Sequence, residues 1–339
     1  MHEALLYEKE ENKFVKCGLC SHRCKIAENK TGICGVRINR GGVLYAESYG
    51  KISAEAIDPI EKKPLYHFLP GTNVYSLGSI GCNFRCSHCQ NWEISQNKSA
   101  DFLQFLSPEM GVLKAKEYNC KSIAWTYNEP TIWHEYTMDM GKTAREENLG
   151  TVYVTNGYMT EEAVSDLSRM LNAFRVDIKA FSDEFYKKVC KAKLSPVLDA
   201  TIKAKECRMH IEIVNLLIPG LNDSPKELKE LIRWIYENIG EDTPVHFTRF
   251  HPDYKMSDIG PTPIKTLEKT YMLAKEEGLR YPYLGNIASH PFNNTWCHKC
   301  GSLLIERSGF SQKNVNLKGN ICRICGAKIP VITTTEGII

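Results

Sequence analysis

The 339-residue sequence has no run of about 20 apolar residues, which excludes a conventional membrane-spanning helix. Its opening, MHEALLYEKEENKF, lacks the apolar stretch of a secretion signal. These two absences leave the cytoplasm as the expected compartment. An excess of one charge is also missing, since 43 Lys and Arg stand against 40 Asp and Glu, a formal charge of +3. Clusters that interleave basic and aromatic residues are few. Neither nucleic acid nor an anionic membrane is therefore an expected partner.

Cysteine is the residue in excess, with 14 copies. A secreted disulfide framework normally belongs to a smaller chain that carries a signal. Eleven of these cysteines fall into three compact groups: Cys17, Cys20, Cys24 and Cys34; Cys82, Cys86 and Cys89; Cys297, Cys300, Cys322 and Cys325. Short loops between cysteines bring thiolates together, as metal sites require. Cys120, Cys190 and Cys207 lie outside the groups and read as buried apolar residues, because thiols pack well in cores.

The two ends differ from the middle. Residues 1–50 read as a small four-cysteine cap in which GGVLYAESYGK supplies a hairpin. Residues 292–339 carry the last four cysteines together with separate short apolar patches, LLIE and VITT. Modules this small need a metal or another staple to supplement a limited core. Residues 70–290 alternate strand and helix. Strands are expected at Val74–Ile80, Lys121–Tyr127, Thr151–Thr155, Ala173–Lys179, His210–Ile218 and Val245–Phe250. Helices are expected near 108–118, 132–148, 160–171, 196–207, 224–238 and 263–277. In SPKELKELIRWIYENIG, Ser224 caps, Pro225 fits the first turn, and Leu228, Leu231, Ile232, Ile235 and Ile239 form an apolar stripe that stops at Gly240. Six strand–helix repeats predict an α/β fold in which parallel strands and right-handed crossovers curl into a partial barrel. A complete eight-stranded barrel and an open doubly wound sheet share that periodicity. All of these place ligands at the carboxyl ends of the strands, where the first cysteine triplet lies.

SIGCNFRCSHCQN separates Cys82 and Cys86 by three residues, and Cys86 and Cys89 by two. Chance gives about 0.02 such triplets in a chain this rich in cysteine. Three thiolates can hold three irons of a [4Fe–4S] cube and leave the fourth open to a non-protein ligand. The alternative is structural zinc with a fourth ligand such as His88.

The order CGLCSHRCKI, GICGVRIN, SIGCNFRCSHCQN, TYNEPT, VTNGY, VDIKAF, NLLIPGLND and a terminal four-cysteine segment spans nearly the whole chain. In this order it resembles the radical S-adenosylmethionine (SAM) superfamily, in which an aromatic residue precedes the last cysteine of CxxxCxxC. His88 takes that position here. The likeness is closest to the radical SAM enzyme of the AmmeMemoRadiSam system, itself similar to glycyl-radical (pyruvate formate-lyase) activating enzymes. The resemblance implies a partial (β/α)6 TIM-like barrel flanked by small cysteine-rich metal-binding modules. It also implies a [4Fe–4S] cluster on Cys82, Cys86 and Cys89, with SAM on the open iron. Reductive cleavage of SAM would give a 5′-deoxyadenosyl radical that abstracts hydrogen from a protein or peptide, glycyl-radical formation being one version. No side chain is assigned as catalytic beyond the cluster-bound SAM. Radical modification of a small molecule is the alternative, and a nonenzymatic zinc-stabilised nucleic-acid-binding protein is the reading from a different class. A flavodoxin or ferredoxin is the expected electron donor, and Amme-like and Memo-like proteins are expected pathway partners.

The same resemblance implies SAM contacts. Glu129 in TYNEPT, where relatives carry a GGEP-like segment, suits the methionine ammonium. Thr155 and Asn156, next to Gly157, suit the ribose, although Val154 stands where activating enzymes often have an acid. Asp177 and Lys179 alternate along one strand, with Lys179 near the SAM carboxylate. Asn215 is assigned to the ribose and His251 to adenosine or substrate. For the outer sites, the C-terminal knuckles (21 residues apart) favour a zinc-ribbon-like site over a rubredoxin-like iron site. The N-terminal set, with spacings of two, three and nine residues, is open between zinc and an auxiliary iron–sulfur cluster.

Overall fold

Each of the six expected apolar segments forms a strand, and a short strand is added at either edge. The computed structural model describes residues 1–97, 99 and 103–335. In chain order the strands are β1 (Ala54–Pro59), β2 (Asn73–Gly78), β3 (Ser122–Trp125), β4 (Gly150–Thr155), β5 (Ala173–Asp177), β6 (His210–Leu217), β7 (Val245–Arg249) and β8 (Pro282–Gly285). Every strand lies beside its neighbour in sequence. Strands β2 to β8 are parallel, and β1 runs antiparallel to β2. Among the described residues no pairing joins β1 to β8, so the sheet stays open. The two edge strands escaped the sequence reading because AEAIDP and PYLG are short and contain proline, which disfavours a strand assignment.

Helices cover the outside: α1 (Pro108–Glu117), α2 (His134–Glu146), α3 (Glu161–Leu167), α4 (Ser195–Glu206), α5 (Pro225–Trp234) and α6 (Ile264–Glu276). Ser224 caps α5 by accepting the Glu227 amide at 3.3 Å, and Leu228, Leu231 and Ile232 are buried. The expected continuation to Ile239 is present as a π-helical turn, Ile235–Ile239. Among the described residues no helix is long and apolar enough to cross a membrane.

The N-terminal segment folds as two small antiparallel sheets. Arg37–Arg40 pairs with Val43–Ala46 around Gly41 and Gly42, whose φ of +64° and +85° suit a tight hairpin turn. At the other end, Leu303–Ser308 pairs with Thr295–Trp296 and Ser311–Asn314. The C-terminal chain then returns to the barrel, where Ile332 N donates to His67 O at 2.8 Å and Leu69 N to Ile332 O at 2.7 Å. Residues 336–339 of that expected module lie outside the described residues.

Candidate active site

The cysteine loop leaves the carboxyl end of β2 and is pinned from three sides. Asn128 accepts the Ser79 amide at 3.0 Å and donates to Ile80 O and Gly81 O at 3.2 and 3.1 Å. Gly81 has φ +79°, and a Cβ there would lie 2.6 Å from Cys34 O, so only glycine fits. Further on, Arg85 N donates to Cys190 O at 3.0 Å and Ser87 N to Val189 O at 3.1 Å. These acceptors belong to a π-helical turn, Tyr186–Cys190, behind the loop.

Cys82, Cys86 and Cys89 share the wall of one cavity of about 320 Å³. It lies at the carboxyl ends of β3 to β7, as parallel sheets of this kind require. Phe84 N donates to Cys82 Sγ at 3.3 Å, and Ser95 Oγ lies 3.2 Å from Cys89 Sγ. Burial, then the nearby Glu129 charge, pushes the Cys82 thiol well up. Cys86 is raised first by a hydrogen bond with Cys190 and then by burial. Cys190 is thus a neighbour of the triplet as well as the buried residue expected. Cys120 is likewise buried, whereas Cys207 is half-buried.

Glu129 ties the ends of β3 and β4 together. Its Oε1 accepts from Thr131 N at 3.0 Å, Thr131 Oγ1 at 2.5 Å and Thr155 Oγ1 at 2.6 Å, and its Oε2 accepts Asn156 N at 2.8 Å. Burial raises its pKa, but four donors provide what an ionised carboxylate needs. Asn156 Nδ2 in turn donates to Asn83 Oδ1 at 2.8 Å, so the loop after β4 braces the residue beside Cys82. Gly157, at φ +70°, has no room for a Cβ, which would meet Val176 Cγ2 at 2.8 Å.

Asp177 and Lys179 face the cavity together, 2.8 Å apart. Burial opposes the Lys179 charge, but Asp177 and then Cys86 outweigh it and raise its pKa. Asn222 Nδ2 donates to Lys179 O at 2.6 Å, which fixes the backbone there. Arg175, also in the wall, forms an ion pair with Asp177 and donates to Lys63 O at 2.6 Å. Lys62 and Lys63 line the same cavity. Burial lowers Lys63 to about 8 although Asp58, 2.6 Å away, favours its charge.

Five of the seven expected SAM contacts therefore line one cavity with the cysteine triplet: Glu129, Thr155, Asn156, Asp177 and Lys179. Asn215 and His251 are not among its lining residues. Val214 and Leu216 face the cavity, so strand alternation turns Asn215 away, where it donates to Ile178 O at 2.8 Å. His251 is exposed, with Nδ1 2.8 Å from Pro252 O. Asn83, Arg175 and Lys63 were missed, because one-residue signals carry no information about partners far away in sequence.

The donor set fits an open-site cluster with a small ligand. Three thiols share a cavity within the size range of small-molecule sites. His88, in the same wall, is buried with an Nδ1 that has no protein partner, and burial, then Lys179, pushes its pKa down to about 3. A buried imidazole nitrogen of this kind calls for a ligand, an ion or a water as its partner.

The C-terminal cysteines are arranged differently. Cys297 and Cys325 sulfurs are 3.6 Å apart, Cys300 and Cys322 sulfurs 3.8 Å, and all four lie within 4.8 Å of one another. Bonds of about 2.3 Å to one tetrahedral ion require edges of about 3.8 Å. A single metal ion fits this set.

The family model for the Radical SAM superfamily matches residues 77–235, so this part of the chain, which carries the cysteine site, is a radical SAM domain. The chain belongs to one family with the uncharacterized protein MJ0808 of Methanocaldococcus jannaschii, to which it is 47% identical over 335 residues, 98% of this chain and 100% of that protein. Among solved structures, a radical SAM methyltransferase from Sphaerobacter thermophilus is similar with a TM-score of 0.51 and 18% identity, covering 69% of this chain and 71% of that one. Streptococcus suis SuiB bound to S-adenosylmethionine also gives a TM-score of 0.51, with 13% identity over 68% of this chain and 53% of that one. These likenesses show the α/β radical SAM fold. The superfamily implies a [4Fe–4S] cluster and SAM, and it displaces the nonenzymatic zinc-stabilised reading.

Proposed function

We propose that this chain reductively cleaves SAM and abstracts hydrogen from a protein or peptide substrate. The observation that carries the cofactor half is the convergence of Cys82, Cys86 and Cys89 on the cavity that Glu129, Thr155, Asn156, Asp177 and Lys179 also line. When bound there, the cluster supplies the electron that breaks a carbon–sulfur bond of SAM. The protein holds the ligand in line and keeps water out. Glu129 suits an ammonium, with its Oε2 carrying a single protein partner, Asn156 N. Lys179 suits a carboxylate. Thr155 and Asn156 fix the loop that faces the ribose, and His88 offers Nδ1 to a donor or acceptor. The protein or peptide substrate, with glycyl-radical formation as one version, rests on the order of sequence motifs shared with activating enzymes.

A second reading, modification of a small acidic molecule, is favoured by Lys62, Lys63 and Arg175 in the cavity wall. Hydrogen transfer from substrate distinguishes the two. Deuterated cell extract, split by size into polypeptides and small molecules, is supplied to the anaerobically reconstituted enzyme with SAM and reductant. Deuterium in 5′-deoxyadenosine from the polypeptide fraction supports the first reading, and deuterium from the small fraction supports the second. No 5′-deoxyadenosine with either fraction contradicts both.

A flavodoxin- or ferredoxin-class donor belongs to this proposal, as do Amme-like and Memo-like pathway partners, a cytoplasmic setting and zinc at the C-terminal cysteines. So does a division into residues 1–50, 70–290 and 292–339.

A further inference from the structure

The four N-terminal cysteines, Cys17, Cys20, Cys24 and Cys34, line one cavity of about 10 Å³, room for a water-sized sphere and not for a cube of iron and sulfide. The cluster site is thus the triplet Cys82, Cys86 and Cys89, and one buried polar side chain outside that motif is built against it.

That side chain is Ser95, which ends the short helix Trp92–Ser95 just after Cys89. Asn91 O accepts Ser95 N at 2.9 Å, and Ile94 O accepts Gly81 N at 2.9 Å, so the helix is held to the start of the cysteine loop. Asn91 Nδ2 donates to Tyr127 O at 2.8 Å, and Trp92 stacks on Tyr254 with ring centres 5.1 Å apart. These contacts turn the chain back and bring Ser95 Oγ to 3.2 Å from Cys89 Sγ, in the wall of the same cavity. Ser95 is buried.

Counting protons gives the direction of this hydrogen bond. A hydroxyl has one proton to give. A cysteine that ligates iron is a thiolate and can only accept. Gln96 Nε2 lies 3.1 Å from Ser95 Oγ and, as an amide nitrogen, can only donate to it. The single proton of Ser95 is therefore left for Cys89 Sγ. At Cys82 the donor is instead the backbone, Phe84 N at 3.3 Å, which nearly any residue would supply. Asn156 Nδ2 is farther from Cys82 Sγ, at 3.8 Å, and bonds to Asn83 Oδ1 at 2.8 Å.

Such a bond acts on charge. The reduced cluster carries one more negative charge than the oxidised one, shared with the sulfurs that hold it. A fixed O–H dipole aimed at one of these sulfurs stabilises the reduced form more, and burial strengthens the effect.

We propose that Ser95 raises the reduction potential of the [4Fe–4S] cluster on Cys82, Cys86 and Cys89 by donating a hydrogen bond to Cys89 Sγ. One electron enters the cluster from a flavodoxin- or ferredoxin-class donor, the hydrogen bond favours that step, and no covalent bond forms or breaks in it. Ser95 acts through the cluster as a positioning residue, and the inference rests on the radical SAM reading of this site.

The test is a redox titration of the anaerobically reconstituted full chain, followed by electron paramagnetic resonance of the reduced cluster, with iron and sulfide counted in each sample. At the potential where the unmodified cluster is half reduced, cluster-loaded Ser95→Ala should show a reduced-to-oxidised ratio about tenfold lower. For one electron that is a midpoint about 59 mV more negative. Ser95→Thr keeps the hydroxyl and should stay close to the unmodified chain. A merely structural role would lower cluster content and leave the midpoint of the loaded fraction in place. An unchanged midpoint in loaded Ser95→Ala, or an equal shift in Ser95→Thr, overturns the proposal. If Ser95→Ala takes up no cluster, Ser95→Val replaces it, because valine and threonine differ by a methyl in place of the hydroxyl. The valine midpoint should then lie below that of threonine, and equal midpoints overturn the proposal. An unmodified chain that takes up no cluster overturns the radical SAM reading as well, whereas a normal cluster with an unshifted Ser95→Ala removes only the role of Ser95.

Discussion

Arg37 Nη1 donates to both carboxylate oxygens of Glu135, at 2.9 and 3.1 Å, with each side chain only 1% exposed. The pair joins the N-terminal hairpin to α2. Arg37 Nη2 also reaches Leu5 O at 2.6 Å, and Glu135 accepts Leu5 N at 2.7 Å. Removing one partner strands the other charge in the interior. Glu135→Ala should therefore destabilise the loaded protein by about 3–5 kcal/mol in chemical denaturation. Exchanging both residues for apolar side chains should cost far less.

Glu129 holds the turn after β3 to the loop after β4. Glu129→Ala leaves Asn156 N, Thr131 N and two hydroxyls without this acceptor. Each buried group left unpaired costs about 1–3 kcal/mol. Through misplacement of Asn156 and Thr155, SAM affinity should fall by about ten- to a hundredfold in calorimetry of the cluster-loaded protein. An unchanged affinity with unchanged cluster content contradicts the placement of SAM against this loop.

Acid should loosen the attachment of the C-terminal chain. His67 Nδ1 lies 3.0 Å from Pro330 O, which can only accept, so Nδ1 carries the proton and Nε2 accepts from Tyr283 Oη at 2.6 Å. Burial pushes His67 down to about 3. The unfolded histidine, near 6.5, binds its proton first. The stability from neutral His67 is thus complete above pH 6.5 and is lost as pH falls toward 3, at up to about 1.4 kcal/mol per pH unit. Glu212, held well below the usual range because His210 and His246 outweigh its burial, acts in the same direction at lower pH. Denaturation at pH 7.5 and 5.5 should show a smaller difference in His67→Gln than in the unmodified chain.

Metal removal should act locally at the C-terminal end. Cys297, Cys300, Cys322 and Cys325 staple the C-terminal segment, and Arg307 is one of its anchors to the barrel. Its Nη2 donates to Tyr66 O at 3.0 Å, and its guanidinium lies 4.0 Å from the centre of the Tyr66 ring. A chelator should release one ion from this site and raise hydrogen exchange across 297–329, with the β2–β7 amides still protected. Loss of protection throughout the sheet contradicts a local role.

The barrel strands were legible because each is a short β-branched or apolar run between Gly, Asn or Pro. Cys82, Cys86 and Cys89 were legible because spacing alone encodes the loop. Faces and partners were not. In a parallel strand buried on both sides, apolar residues run almost continuously, as in HIEIVNLL, so period-two alternation does not say which face holds Asn215. Asn83 and Asn156, 73 residues apart, meet only because the ends of β2 and β4 are brought together. Cys190 meets Cys86 through a π-helical turn that no local pattern announces.

The central claim is that Cys82, Cys86 and Cys89 form the working site. It is tested most directly by measuring 5′-deoxyadenosine from SAM in anaerobically reconstituted, dithionite-reduced protein, with cluster content verified in the same sample. The unmodified chain should release it, and Cys86→Ala should release none while retaining the C-terminal metal. No release from a reduced, cluster-loaded chain supplied with cell extract as a source of substrate, or undiminished release from Cys86→Ala, would contradict the account.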